Sequence, residues 1–301
     1  MEKFCAWLHE NMPGRYYLQE PMKNHTSFHI GGPADLLVMP KDVEELRQLL
    51  LCVSLEKLPL TILGNGSNIL VKDNGVRGVV IKLGNALRKV ECNGNFIVAD
   101  AGVSLAAVAN KAASFNLTGL EFAVGIPGSL GGAVFMNAGA YDGEMKNVVK
   151  SVTVMYIKDG SSKVIKGKNL DFGYRHSAIQ SMDCIITEIN MKLVPGKPEA
   201  IKQKMADFTD SRVTKQPLDL PNAGSMFKRP HGYYAGTLIE EAGLKGYTVG
   251  GAQISEKHAG FVVNIGNATA SDVLQLMKDV QDRVYEYSRV HLEPEVRVIG
   301  D

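Results

Sequence analysis

Three residues that lie far apart in this 301-residue chain sit in segments suited to chemistry: Arg175, Ser225 and Glu295. Arg175 belongs to Phe172-Gly-Tyr-Arg-His-Ser177, beside a glycine and outside any helical periodicity. Its guanidinium is always charged and can hold a carboxylate in a bidentate fork. The residue types equally allow a surface arginine. Ser225 stands in Ala223-Gly-Ser-Met-Phe-Lys228, a small hydroxyl after a glycine with a cation three residues on. Taken alone it reads as a turn serine. Glu295, in Leu292-Glu-Pro-Glu-Val-Arg297, begins an expected strand just after a proline. It reads there as an edge-strand charge or as a carboxylate facing a cleft. The histidines show no metal-ligand spacing, and no P-loop, H-E-x-x-H or C-x-x-C motif occurs.

Two glycine-rich segments would have to sit near such groups. Gly125-Ile-Pro-Gly-Ser-Leu-Gly-Gly132 runs on through Asn137-Ala-Gly-Ala-Tyr141. Its chemistry-bearing positions are Gly125, Ile126, Pro127, Gly128, Ser129, Gly131 and Gly132, then Asn137, Gly139 and Ala140. Glycine at this density costs backbone entropy, and the usual return is close approach to a ligand with N–H groups aimed at an anion. The alternative is a set of Pro-Gly turns leading into a small-residue helix packed on a neighbour. A second loop, Gly64, Asn65, Gly66, Ser67 and Asn68, follows the short apolar run Leu60–Leu63. Ile69 stands where a dinucleotide fingerprint would carry its third glycine, so this is not a Rossmann motif. Two such loops in one chain suggest a ligand with two phosphates held between them.

The elements that position these loops are legible in part. Leu36–Met39 reads as a strand, and Asp42 then caps a helix with Glu45 three residues on, leading to the strand at Leu60 as a βαβ unit. Gly78–Leu83 and Phe96–Ala99 read as strands, and Ser104 caps a helix to about Phe115. Val152–Ile157 and Lys163–Ile165 form an expected hairpin around Asp159-Gly160, and Cys184–Leu193 another strand. A charged helix spans Glu199–Val213, Ser271 caps a later helix, and Glu295–Ile299 closes the chain as a strand. The pattern is α+β with mixed sheets.

Composition excludes several classes. A formal net charge of +1 gives no sign of nucleic-acid binding, and no apolar stretch approaches the ~20 residues that span a bilayer. Cys5, Cys52, Cys92 and Cys184 are far apart in mostly apolar surroundings, as reduced buried thiols would be. The opening residues lack a signal-peptide pattern, which points to a cytoplasmic protein.

The motifs also occur in a telling order. Asn24-His-Thr-Ser-Phe-His-Ile-Gly-Gly32, the two glycine loops, Tyr174-Arg-His-Ser177, Ala223–Lys228, Gly250-Gly-Ala-Gln-Ile-Ser-Glu-Lys-His-Ala-Gly260 and Leu292–Arg297 follow one another along the chain. The series closely resembles the UDP-N-acetylenolpyruvoylglucosamine reductases of cell-wall precursor synthesis, also called UDP-N-acetylmuramate dehydrogenases, over roughly residues 20–299. The compact Tyr-Arg-x-Ser region is similar to the shorter (type II) form of that family, which lacks an extra substrate-covering loop.

The resemblance implies an N-terminal helical segment (1–22) and an FAD-binding domain of the vanillyl-alcohol-oxidase (PCMH) type (23–197). That domain would have subdomains of about 23–83 and 84–197, and an α+β substrate-binding domain (198–301) would follow. Both glycine loops would cradle the pyrophosphate of non-covalent FAD, with NADPH as co-substrate. NADPH would reduce the flavin and leave, UDP-N-acetylglucosamine enolpyruvate would take its place, and flavin N5 would deliver a hydride to the vinyl carbon. By the same resemblance, Arg175 and Glu295 stabilise the enolate and Ser225 donates the proton. Tyr174, Lys228, Gln253 and Lys257 are candidate contacts for the substrate or its diphosphate, while Tyr174 and Tyr141 also allow stacking or bonding near the flavin, or packing in the core. Two departures stand out: His29 replaces a more usual lysine or arginine, and Arg229 replaces an asparagine common in the longer form. A monomer acting on small molecules, with no nucleic acid, membrane or metal, completes the expectation. The alternatives are a flavin oxidase of the same fold and a non-catalytic flavin or nucleotide-sugar binding protein.

Overall fold

The computed structural model describes residues 2–84 and 87–301. Its helices are α1 (Glu2–Asn11), α2 (Val43–Leu55), α3 (Leu105–Ser114), α4 (Leu130–Phe135), α5 (Pro198–Lys215), α6 (Ala235–Glu241) and α7 (Ala270–Ser288). The chain divides into two compact units, and it passes between them several times. One comprises Met1–Tyr17, Leu36–Asn65 and Gly78–Ser211; the other comprises Leu18–Asp35, Gly66–Arg77 and Arg212–Asp301. The loop Gly64–Asn68 contains one of these passages.

The first unit is built on a five-stranded antiparallel sheet in the order Ser162–Lys166, Val149–Tyr156, Cys184–Lys192, Phe96–Asp100, Val90–Asn93. Along Val149–Tyr156, Val152, Val154 and Met155 are fully buried with Ile97, Ile189 and Met191, the adjacent pair Val154 and Met155 following a register shift at Thr153. A four-stranded sheet runs Tyr16–Pro21, Pro33–Val38, Val76–Lys82, Leu60–Leu63, the last pair parallel. The strands flanking α2 therefore share a sheet but are not neighbours, because Val76–Lys82 lies between them. The expected βαβ unit is thus interrupted by a strand from later in the chain. Asp42 does cap α2, accepting from the Glu45 N–H at 2.8 Å, and Ser104 caps α3 by accepting from Ala107. Each side chain satisfies an N–H that the helix leaves unpaired.

The second unit has its own core, with Phe28, Leu70, Val262, Val273, Leu276 and Val280 buried together. Its sheet runs Asn222–Ser225, Phe261–Asn264, Ala252–Ile254, Thr248–Val249, all antiparallel. The closing strand is Arg297–Ile299, parallel to Ile69–Val71, so Glu295 precedes the strand rather than beginning it. Thr269, not Ser271, caps α7: its hydroxyl accepts from Asp272 N–H while Asp272 accepts from Thr269 N–H. Ser271 instead donates its hydroxyl to Asp73, whose carboxylate also accepts the Ala270 and Ser271 N–H groups. Burial works to raise the Asp73 carboxyl, yet these bonds to its ionised form hold it below its ordinary range. All four cysteines are free and only partly buried.

Candidate active site

In the first unit the two glycine segments meet. A Cβ on Gly64 would collide with Ser129 Oγ, so only glycine lets the loops approach. Asn65 Nδ2 donates to the Pro127 carbonyl at 3.3 Å. Beyond Gly128, Ser129 caps α4, accepting from the Gly132 N–H at 3.3 Å. The Leu130 and Gly131 N–H groups donate to Val103 and Ala101 carbonyls, both at 2.8 Å. A Cβ on Gly131 would come 2.8 Å from Ala101 Cβ. The first N–H groups of α4 are thus spent on protein, and Gly131 and Gly132 serve packing and capping. This is the small-residue helix that the sequence also allowed, joined to a glycine turn at Gly125–Ser129. Neither Gly64–Asn68 nor Gly125–Gly132 contains a carboxylate, so a diphosphate placed against them meets no like charge on those loops.

The tail of the long glycine segment supports a different structure. Asn137 is 1% exposed, and its carboxamide donates to Glu144 Oε2 at 2.7 Å and to the Gly173 carbonyl at 2.8 Å. Its Oδ1 accepts from the Lys146 N–H. The Asn137 side chain is therefore fully engaged within the protein. Gly139 and Ala140 pair with Glu144 and Gly143, and a Cβ on Gly139 would meet the Gly143 carbonyl at 2.7 Å. Tyr141 stacks on Phe208 with ring centroids 4.2 Å apart and donates its hydroxyl to the Phe208 carbonyl.

Arg175 occupies the tip of a tight turn closed by reciprocal backbone bonds between Gly173 and His176. Its φ is +54°, a left-handed conformation that an arginine adopts only under constraint. Arg175 is half-buried, and its guanidinium lies 5.0 Å from the centroid of Tyr174, which is 54% exposed and therefore not core. Ser177 Oγ and Gln180 Nε2 both donate to the Phe135 carbonyl at the end of α4, at 2.7 and 2.8 Å. Nothing in local spacing marked Gln180.

In the second unit Ser225 and Glu295 come together. Asn222 Oδ1 accepts from the Gly224 N–H, Gly224 has φ +79°, and the pairing with Phe261–Asn264 slips between Asn222 and Ser225. Such a bulge re-aims the following side chain, and Ser225 is exposed. Immediately beyond, the Glu295 N–H donates to the Met226 carbonyl and the Lys228 N–H to the Glu293 carbonyl, both at 2.8 Å. Asn68 reaches the same segment, its Nδ2 donating to the Glu295 carbonyl and its own carbonyl accepting from Arg297 N–H. Gly66, with φ +65°, has no space for a side chain beside the His25 carbonyl. Lys228 Nζ pairs with Glu293 Oε2 at 3.1 Å. Gln253 bonds Thr248 across its hairpin, and Lys257 Nζ donates to the Val213 carbonyl at 2.7 Å. The structure thus joins Ser225, Lys228, Glu295 and Asn68, and engages Gln253 and Lys257 elsewhere. Burial pushes the His258 imidazole down, and its Nδ1 accepts from the Gly260 N–H.

Residues 216–299 match the family model described as UDP-N-acetylenolpyruvoylglucosamine reductase, C-terminal domain, and residues 34–165 match an FAD binding domain. A UDP-N-acetylenolpyruvoylglucosamine reductase from Caldanaerobacter subterraneus is 51% identical, over 96% of this chain and 95% of its own. One from Agathobacter rectalis is 49% identical over 100% and 99%. The crystal structure of the Thermus caldophilus reductase superposes with a TM-score of 0.82 at 38% identity, covering 95% of this chain and 98% of that one. A grass pollen allergen with glucose dehydrogenase activity shares the fold alone, with a TM-score of 0.51 at 15% identity over 74% of this chain and 52% of that one.

Proposed function

We infer the activity from one premise: the chain belongs to the UDP-N-acetylenolpyruvoylglucosamine reductase family. It is an oxidoreductase of peptidoglycan synthesis that uses FAD, with NADPH as co-substrate, to reduce UDP-N-acetylglucosamine enolpyruvate to UDP-N-acetylmuramate. The observation that carries this reading furthest is the approach of Gly64 to Ser129, so close that any Cβ on Gly64 would collide with the Ser129 hydroxyl. Glycine-rich loops with no carboxylate form a surface that fits a diphosphate.

The Gly64–Asn68 and Gly125–Ser129 loops would hold the FAD diphosphate, and Gly139 and Ala140 would line the cofactor through their backbones. Bound there, FAD supplies the hydride chemistry, carrying a hydride from NADPH to the terminal vinyl carbon of the enolpyruvyl group. Arg175 then holds the substrate carboxylate in its fork and stabilises the negative charge that develops as the enolate. Glu295 acts beside that carboxylate in protonated or paired form, because two bare carboxylates repel. Ser225 Oγ gives its proton to the carbon next to the carboxylate. A serine is a weak acid, so it needs a neighbour; Lys228 is three residues away and shares its charge with Glu293. Tyr174, Lys228, Gln253 and Lys257 remain the proposed substrate contacts, with Gln253 and Lys257 first released from their present partners.

The same reading assigns the 23–197 and 198–301 divisions to cofactor and substrate, and makes the protein a cytoplasmic monomer that binds no nucleic acid. The formal net charge of +1 supports the last point, and no helix among the described residues is long and apolar enough to cross a membrane. The test is stoichiometry: NADPH consumption should require the enolpyruvyl sugar and match UDP-N-acetylmuramate formed, mole for mole. Consumption independent of that sugar, with peroxide as product, would favour the oxidase.

A further inference from the structure

The Arg175 turn is gripped from both sides by carboxamides. Ahead of it, the Asn137 NH2 group bridges the Gly173 carbonyl (2.8 Å) and Glu144 Oε2 (2.7 Å). Behind it, the Gln180 NH2 group bridges the Arg175 carbonyl (3.0 Å) and the Phe135 carbonyl (2.8 Å). Each NH2 group has two hydrogens, and each places both on fixed acceptors. Between these two grips the backbone of Arg175 is left-handed, φ +54°. L-residues with a Cβ avoid that region, and an arginine lacks the short polar side chain that lets Asn or Asp visit it. The turn's own two backbone bonds close Gly173 on His176 but leave the Arg175 carbonyl to Gln180. Both grips lead back to the segment that follows the glycine loop: Phe135 ends α4, and Asn137 lies two residues beyond.

We propose that Gln180, with Asn137, is a positioning residue for Arg175: the two carboxamides hold its peptide in the left-handed conformation and so fix where the guanidinium fork meets the substrate carboxylate. This rests on the assignment of Arg175 to that carboxylate. Without Gln180 the Phe135 carbonyl keeps the Ser177 hydroxyl as donor, but the Arg175 carbonyl loses the carboxamide that ties it to the end of α4, so shape alone does not suffice. Gln180→Glu keeps the shape but sets a carboxylate against two carbonyl oxygens, which raises its pKa because only the protonated form can donate. Gln180→Met keeps volume and removes the donors.

The experiment measures the two half-reactions of the FAD-loaded enzyme by rapid mixing, with FAD content and thermal midpoint recorded for every variant. Gln180→Met is expected to leave flavin reduction by NADPH near the parent rate. Reoxidation by UDP-N-acetylglucosamine enolpyruvate should slow between about 10- and 100-fold, the scale of a misplaced catalytic group. Gln180→Glu should be as slow near about pH 8 and recover part of its rate toward about pH 5.5, as its carboxyl protonates; Gln180→Met should show no such recovery. In the background of Arg175→Ala, adding Gln180→Met should cost nothing further, since a residue that acts through another is silent once that one is gone. Full additivity of the two substitutions would overturn the proposal, as would unchanged reoxidation in both Gln180 variants while Arg175→Ala is crippled. If Arg175→Ala itself reoxidises at the parent rate, the assignment of Arg175 fails instead. A variant that unfolds is replaced by Gln180→Asn, whose shorter arm must give an intermediate loss if the bonds matter and none if they do not.

Discussion

Ser225 owes its exposure to two residues before it: Asn222 accepts from the Gly224 N–H, and Gly224 takes the positive φ that a bulge needs. Replacing the hydroxyl therefore changes chemistry more than structure. Ser225→Ala should retain NADPH-driven flavin reduction and slow reduction of the enolpyruvyl sugar by about 10²-fold or more, the scale of a general acid. Unchanged turnover would remove Ser225 from the mechanism. Arg175→Lys should also fail, by at least ~10-fold in the same half-reaction, because a point charge does not replace a planar fork; normal kcat/KM in that variant would show that charge alone suffices. The types and neighbours of Arg175, Ser225 and Glu295 were visible in the sequence. Their supports were not. Gln180 and Asn137 act through carbonyls of Arg175, Gly173 and Phe135, and such pairings leave no trace in spacing.

At the scale of elements, α4 shows what the dense glycines do. Gly131 packs its bare Cα against Ala101, and its N–H donates to the Ala101 carbonyl. Gly131→Ala should force the helix off the strand end and lower stability by about 1–3 kcal/mol, the usual cost of overpacking. Denaturant unfolding and FAD retention would check this; an unaltered midpoint would show that the contact yields freely. The sequence suggested a phosphate cradle for the whole run, and the structure divides it into a glycine turn and a tightly seated helix. Local signals fared well where a side chain acts on its own helix, as with Asp42 on α2 and Ser104 on α3. They misled at α7, where Ser271 and Thr269 are both cap-like and only Asp73, distant in sequence, determines that Ser271 turns away. The insertion of Val76–Lys82 between the strands flanking α2 was equally invisible, because pairing order is set by long-range packing rather than by periodicity.

Across the whole molecule, the chain builds two cores and crosses between its units inside a predicted cofactor loop, Gly64–Asn68. Stability of the first unit should depend on acid through Glu121, which is 4% exposed. Burial works to raise its carboxyl, but bonds from the Thr118 hydroxyl and Gly119 N–H, with Lys204 nearby, bring it below the ordinary 4.5. A depressed folded-state pKa contributes stability above the ordinary value and loses it as pH falls through the folded one. The thermal midpoint should thus drop on acidification below 4.5, and Glu121→Gln should flatten that drop; an equal acid slope in that variant would place the effect elsewhere. The activity of this chain is electron transfer from NADPH through FAD to an enolpyruvyl nucleotide sugar. Its most direct test is an anaerobic visible spectrum of the purified protein, taken after NADPH and again after UDP-N-acetylglucosamine enolpyruvate. The flavin bands should bleach with NADPH and return with the enolpyruvyl sugar. A colourless protein that FAD cannot reconstitute, or a flavin reoxidised by oxygen alone, would contradict that activity.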